Sequence, residues 1–213
     1  MISPPHIPSF EVSLKRANLY NALAEMNVMY QVVLLHRLTA ELLSPYKMLV
    51  IPNIPYMDAD QIAAIRTYKE RGGKIYTIGS SRELRELASL QSPASMLDDA
   101  HNEPGRRQLL AKINQLAGEQ VITVPGTQYV AANVVKKMDS DRIILHFVNY
   151  HTPINSVHVS VNLDGVVPRV DGKRIQLFSP DGNVAELEAA SVRGTRVEFV
   201  LPKLDVYDVV TIN

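Results

Sequence analysis

The chain contains no cysteine and no tryptophan. Without cysteine there can be no disulfide, no thiolate metal site and no cysteine nucleophile, and the redox compartment stays undecided. Aromatic residues amount to 6%, a thin supply for a module that would stack on sugar rings. Neither charge is in excess: Lys+Arg and Asp+Glu both number 22, for a formal net charge of zero. That gives no support to nucleic acid or an anionic membrane as partner, and does little to oppose self-association. No apolar run approaches the roughly 20 residues that span a bilayer. The opening, MISPPHIPSFEVSLKR, has neither a basic n-region nor an apolar h-region, so it does not read as a secretory signal. These absences leave the compartment unassigned, with the cytoplasm favoured.

What is present is an ordinary globular composition: 213 residues, 46% hydrophobic and 21% charged. The length suits one large domain or two small ones. The two halves have different periods. Up to residue 118, helical patterns alternate with short apolar runs. Ser13 to Asn27 carries an apolar stripe at helical spacing, Met29 to Leu35 is strand-like, and Leu38 to Leu43 is a short helical piece stopped by Pro45. The run MLVI, Met48 to Ile51, is what a parallel strand covered on both faces requires. Asp58 is a good N-cap for the next helix, Ile62, Ile65 and Tyr68 line its buried face, and Gly72 supplies a left-handed cap. Lys74 to Ile78 is then a second strand, completing a βαβ unit. A polar loop, SPASMLDDAHNEPG, leads to a helix over Gly105 to Leu116.

From Gln120 onward the texture changes. Short β-rich runs such as RIILHFVNY, SVHVSVNL, RVEFVL and YDVVTI recur between turn signals such as PDGN, VRGT and PKLD. This predicts an antiparallel β-sandwich. The expected fold is therefore a truncated flavodoxin-like α/β domain over 1–118 and a β-sandwich over 119–213. A doubly wound domain normally opens on a strand. Here Pro-rich coil runs almost directly into a helix, although FEVS could add a short strand. The leading strand looks missing, so the chain reads as the C-terminal part of something larger.

Residues 48–81 resemble the trimerisation domain of the family-42 type β-galactosidases and related glycoside hydrolases, itself similar to class I glutamine amidotransferases. The resemblance rests on the strand Leu49 to Pro52, Asn53, the acidic cap Asp58, the Tyr68-x-x-x-Gly72-Gly73 helix end and Thr77 to Gly79. The second half resembles the C-terminal β-domain of such proteins through His146, Asn149, Tyr150, the Ser179 to Gly182 hairpin, and Pro202 through Tyr207 to Ile212. In that family catalysis belongs to a (β/α)8 barrel with two carboxylates, and this chain is too short in βα repeats to contain one. What the resemblance implies is a non-catalytic role in assembly and support, with a catalytic barrel or further copies of the chain as partner.

Candidate site residues follow from both readings. Ser80 and Ser81 stand on a strand-to-helix turn where α/β enzymes mount nucleophiles. The resemblance puts Gly79, not a nucleophile, at the amidotransferase cysteine's position. His36 and His101 are the only local histidines beyond the tail, and neither is a recognisable base. Ser80-x-x-Glu83 also fits a capping box for a helix over Arg82 to Leu90. A serine hydrolase or amidotransferase-like enzyme is thus the alternative function, and a carbohydrate-binding module is another. His146, His151 and His158 could share one face if their strands form a hairpin, but zinc needs three or four converging ligands. No metal and no cofactor is expected. Asn149 and Tyr150 end a strand, where Asn can bond the loop backbone and Tyr can cover the core. Asp164, Asp171 and Asp181 belong to turns. Ile54, Tyr56 and Met57 follow a strand's carboxyl end and are expected to form an exposed apolar contact surface.

Overall fold

Five residues rich in apolar side chains, MLVIP, have their backbone groups and both faces to satisfy, and the computed structural model shows how. It describes residues 2–3, 10–54, 56–79, 82–127, 129–137, 140, 142–167, 174–180 and 184–212. The chain divides into two compact units, Met1–Ala22 with Tyr30–Gly118, and Leu23–Met29 with Glu119–Asn213. In chain order the elements up to residue 118 are β1 (Ile2–Ser3), α1 (Phe10–Glu25), β2 (Val33–Leu34), α2 (Ala40–Leu43), β3 (Met48–Pro52), α3 (Ala59–Glu70), β4 (Lys74–Ile78), α4 (Arg82–Leu87), β5 (Leu90–Ser92), α5 (Ser95–Asp99) and α6 (Glu103–Ala117).

Strands β3, β4 and β5 form a parallel sheet in that order. In β3 and β4 every residue after the first is buried, as strands covered on both faces must be. Helix α3 starts with a reciprocal capping box: Gln61 N donates to Asp58 Oδ1 at 2.8 Å, and Asp58 N donates to Gln61 Oε1 at 3.1 Å. The helix ends on Tyr68, Gly72 and Gly73 for steric reasons. Gly72 takes φ +92°, and a Cβ on Gly73 would lie 2.3 Å from the Tyr68 ring. That ring is buried, and its hydroxyl donates to the Tyr46 carbonyl at 2.8 Å. Leu49, Ile51, Ile62, Ile65, Ile75 and Leu84 pack in one core, each fully buried aliphatic stabilising by about 1.5–3 kcal/mol.

Several expectations for this unit need correction. A leading strand exists in brief form: Ile2–Ser3 pairs parallel with Val33–Leu34. FEVS opens α1 instead of a strand. The strand expected over 29–35 shrinks to two residues, because its neighbour is only two residues long; Met29, Tyr30 and Val32 stay exposed. The polar loop before α6 holds α5, and Asn102 caps α6 by accepting from Gly105 N at 2.8 Å.

The second unit contains β6 (Ile122–Thr123), β7 (Val130–Lys136), β8 (Ile143–Asn149), β9 (Ile154–Asn162), β10 (Ile175–Phe178), β11 (Val184–Leu187), β12 (Ala189–Arg193), β13 (Arg196–Leu204) and β14 (Tyr207–Ile212). They make two antiparallel sheets, β11-β10-β14-β8-β7 and β12-β13-β9-β6. Alternation decides the faces. Ile143, Leu145, Phe147 and Asn149 of β8 point inward, as do Val157, Val159 and Val161 of β9 and Val197, Phe199 and Leu201 of β13. These side chains share one core. The fold is thus an α/β unit followed by an antiparallel β-sandwich. VRGT is more than a turn: β12 runs through Val192 and Arg193, and Gly194 at φ +64° opens a two-residue hairpin loop into β13. The turns that include Asp171 and Asp181 lie outside the described residues.

Candidate functional site

In an open parallel sheet, ligands sit outside the carboxyl ends of the strands. Here those ends are stitched together by backbone. Asn53, just after β3, adopts φ +43° and its N–H donates to the Ile78 carbonyl at 2.6 Å. Gly79, just after β4, adopts φ +64° and donates to the Ser92 carbonyl at 2.9 Å. A Cβ on Gly79 would lie 2.6 Å from Ala94 Cβ and 2.9 Å from Ala94 Cα. The backbone bends as a nucleophile elbow does, but the position has no room for a side chain. Ser80 and Ser81 lie outside the described residues. His36 is exposed, and the exposed His101 turns its Nδ1 to the Asp98 carbonyl, three residues back. On β4 itself, the Tyr76 hydroxyl donates to Ser92 Oγ at 2.8 Å. Burial raises the Tyr76 phenol above its ordinary pKa, against the opposing effect of that hydrogen bond.

The expected contact surface after β3 is only partly exposed. Ile54 and Met57 are 0% and 5% exposed and belong to the α/β core, whereas Tyr56 is 75% exposed. The reason is local. Met57 precedes the N-cap Asp58 and Ile62 is the fourth helical residue, so the two occupy the positions of a hydrophobic staple. Of the three, Tyr56 alone is exposed.

The three histidines do not converge. β8 and β9 are not a hairpin: β8 pairs with β7 and β14, while β9 pairs with β13 and β6. His146 therefore lies on one sheet and His158 on the other, exposed opposite Val200. Among the described residues no group of three His, Asp or Glu side chains is placed to hold a metal ion.

Asn149 and Tyr150 separate into different roles. Asn149 is buried; its amide donates to the carbonyls of Thr152 at 2.8 Å, Asp205 at 3.0 Å and Leu204 at 3.3 Å, and its Oδ1 accepts from His151 N at 3.0 Å. It ties the end of β8 to the β13–β14 turn. Because Asn149 takes the inward position, alternation turns Tyr150 outward. It is 72% exposed and does not cover the core as expected.

Sequence reasoning missed what surrounds Tyr150. Its N–H donates to the Tyr129 carbonyl at 3.0 Å, which continues the β7–β8 ladder beyond the Val130–Asn149 pair. Tyr129 is 43% exposed, and its ring stacks on His151 at 4.7 Å between centroids, 16° from parallel. Farther along the same face, His146 Nδ1 lies 2.7 Å from the Tyr207 hydroxyl. The signal was available as strand parity: 131 and 133 on β7, 146 and 148 on β8, and 207 and 209 on β14 share the face opposite the core, and 129 and 150 continue it one step past the ends of β7 and β8.

No protein-family model matches the chain, and no curated protein matches it in sequence. Solved structures do match. The α-L-fucosidase isoenzyme 2 from Paenibacillus thiaminolyticus superposes with a TM-score of 0.71 at 15% identity, covering 94% of this chain and 45% of that one. The apo exo-carrageenase GH42 from Bacteroides ovatus gives a TM-score of 0.46 at 13% identity, over 92% of this chain and 26% of that one. The chain is thus similar in fold to part of a glycoside hydrolase and spans less than half the length of the fucosidase.

Proposed function

We propose that this chain is a non-catalytic accessory region of a glycoside-hydrolase-like protein, supporting or assembling a catalytic barrel supplied elsewhere. The observation that carries this is the fold match: nearly all of this chain, 94%, corresponds to 45% of a fucosidase. The β-galactosidase resemblance agrees, since there these two domains follow an N-terminal barrel that holds the catalytic carboxylates. Gly79 supports the reading in part, because a Cβ there would clash with Ala94 and the position cannot carry a nucleophilic side chain.

Two measurements test the reading. The purified chain should release no nitrophenol from 4-nitrophenyl α-L-fucoside or 4-nitrophenyl β-D-galactoside above the buffer rate. Turnover by the chain alone would sink the non-catalytic role. The locus around Met1 should encode a (β/α)8 barrel, in frame or adjacent; a locus without one removes the proposed partner. Self-association is the other form of assembly, and sedimentation velocity of wild type against Tyr56→Ala reports on it.

A further inference from the structure

We propose that the outward face at one end of the five-stranded sheet binds a neutral saccharide. Tyr150 and the Tyr129–His151 pair form its stacking platform, and His146, Tyr207 and Asn133 its hydrogen-bonding rim. This goes beyond the accessory reading and does not depend on it.

The placement comes from the register. Tyr129 and Tyr150 are neighbours across β7 and β8, one step beyond the Val130–Asn149 pair. On β7, β8 and β14 the next outward row is Ala131, Val148 and Tyr207, and the one after is Asn133, His146 and Val209, which continues across the sheet to the exposed Phe178 and Val184. Successive outward rows lie about 7 Å apart, so the three span about 14 Å along the strands. That is room for a short oligosaccharide.

The chemistry favours a polyol over other ligands. Three of the chain's nine tyrosines gather within these rows, so the low aromatic content understates the local supply. Tyr150 and Tyr129 are 72% and 43% exposed, and an aromatic face accepts the C–H face of a pyranose. The His146–Tyr207 pair and the exposed Asn133 amide offer donors and acceptors for hydroxyls. None of these eight positions is Asp, Glu, Lys or Arg, and Asp205, two residues before Tyr207, is ion-paired with Lys203 at 2.7 Å, so the platform favours a neutral ligand over a phosphate or a cation. The outward face of the other sheet is different in kind: β13 and β9 present Arg196, Glu198, Ser160 and Asn162, with no aromatic platform.

Native affinity electrophoresis tests this with the full chain in gels carrying soluble galactan, xyloglucan or laminarin. Retardation is expected in at least one gel. Tyr150→Ala and Tyr129→Ala should each weaken binding about two- to tenfold, the range of one lost ring contact. Tyr150→Phe, which keeps the ring, should bind as wild type does, and Tyr56→Ala, an exposed tyrosine in the other unit, should be retarded as wild type is, each compared with its own migration in a gel without polysaccharide. Three results would overturn the proposal. One is no retardation in any gel. Another is retardation that survives in Y129A/Y150A with a wild-type melting temperature. The third is a dimer dissolved by Tyr150→Ala in a chain that no polysaccharide retards, which would make this face a self-association surface.

Discussion

At Gly79 the turn after β4 has a left-handed backbone and no room for a Cβ. Left-handed φ costs a non-glycine residue about 1–3 kcal/mol, and overpacking against Ala94 adds about 1–3 kcal/mol. Gly79→Ala should therefore destabilise the α/β unit by about 2–6 kcal/mol in urea unfolding. Adding Ala94→Gly should recover part of the loss, because it removes the nearest clashing atom. No recovery would mean that the backbone conformation alone sets the cost. Asn149 is the corresponding residue in the β-sandwich. Asn149→Ala strips hydrogen bonds from Thr152, Leu204 and Asp205 at once, and should cost about 1–3 kcal/mol by thermal unfolding. Sequence pattern singled out both positions, since glycine after a strand and asparagine before a turn are informative types. It could not show what each position excludes or ties down, because Ala94 and the β13–β14 turn are contacts across the fold.

Among the elements, those with their own punctuation were legible and those defined by neighbours were not. Helix α3 announces itself through Asp58, Gln61 and the Tyr68–Gly72–Gly73 end, and Lys74–Ile78 is flanked by glycines on both sides. Asp58→Ala should lower stability by about 1 kcal/mol through loss of the cap, with Asp58→Ser losing much less; equal losses would mean that the cap bond contributes nothing. By contrast, β5 is LQS, three residues with no apolar alternation, and it is a strand because β4 offers an edge. β12 is likewise made a strand by β13. Burial of α3 and β4 also has a pH signature. It raises the phenol pKa values of Tyr68 and Tyr76 above their ordinary value, whereas in the unfolded chain both ionise near pH 10, roughly. The unfolded state thus sheds protons first. Stability is fully present below about pH 10 and is lost as pH rises through the folded pKa values. The urea midpoint should hold to about pH 9 and then fall, and Tyr76→Phe should flatten that fall. An unchanged slope in the variant would mean that Tyr76 ionises alike in both states.

At the scale of the whole molecule, the change from helical to β-rich texture is plain in the sequence, but nothing there marks Leu23–Met29 as part of the second unit. Two side-chain hydrogen bonds hold it there. Asn27 is buried at φ +56°, and its Oδ1 accepts from Ala132 N at 2.7 Å, 105 residues away. Nearby, Gln120 Nε2 donates to the Met26 carbonyl at 2.5 Å. Asparagine tolerates the left-handed region better than most residues, so the type fits the conformation, yet no local pattern names its partner. Asn27→Gly keeps the backbone free to turn but removes the acceptor, and should cost about 1–2 kcal/mol. Asn27→Ala adds backbone strain of about 1–2 kcal/mol and should cost more. Hydrogen exchange read by mass spectrometry shows where the loss falls. Amides of β7, beginning with Ala132, should exchange faster in both variants, while those of Ile75–Ile78 in β4 keep their wild-type protection. Equal loss in β4 and β7 would show that the two units open as one, and that the excursion of Leu23–Met29 does not serve the β-sandwich alone.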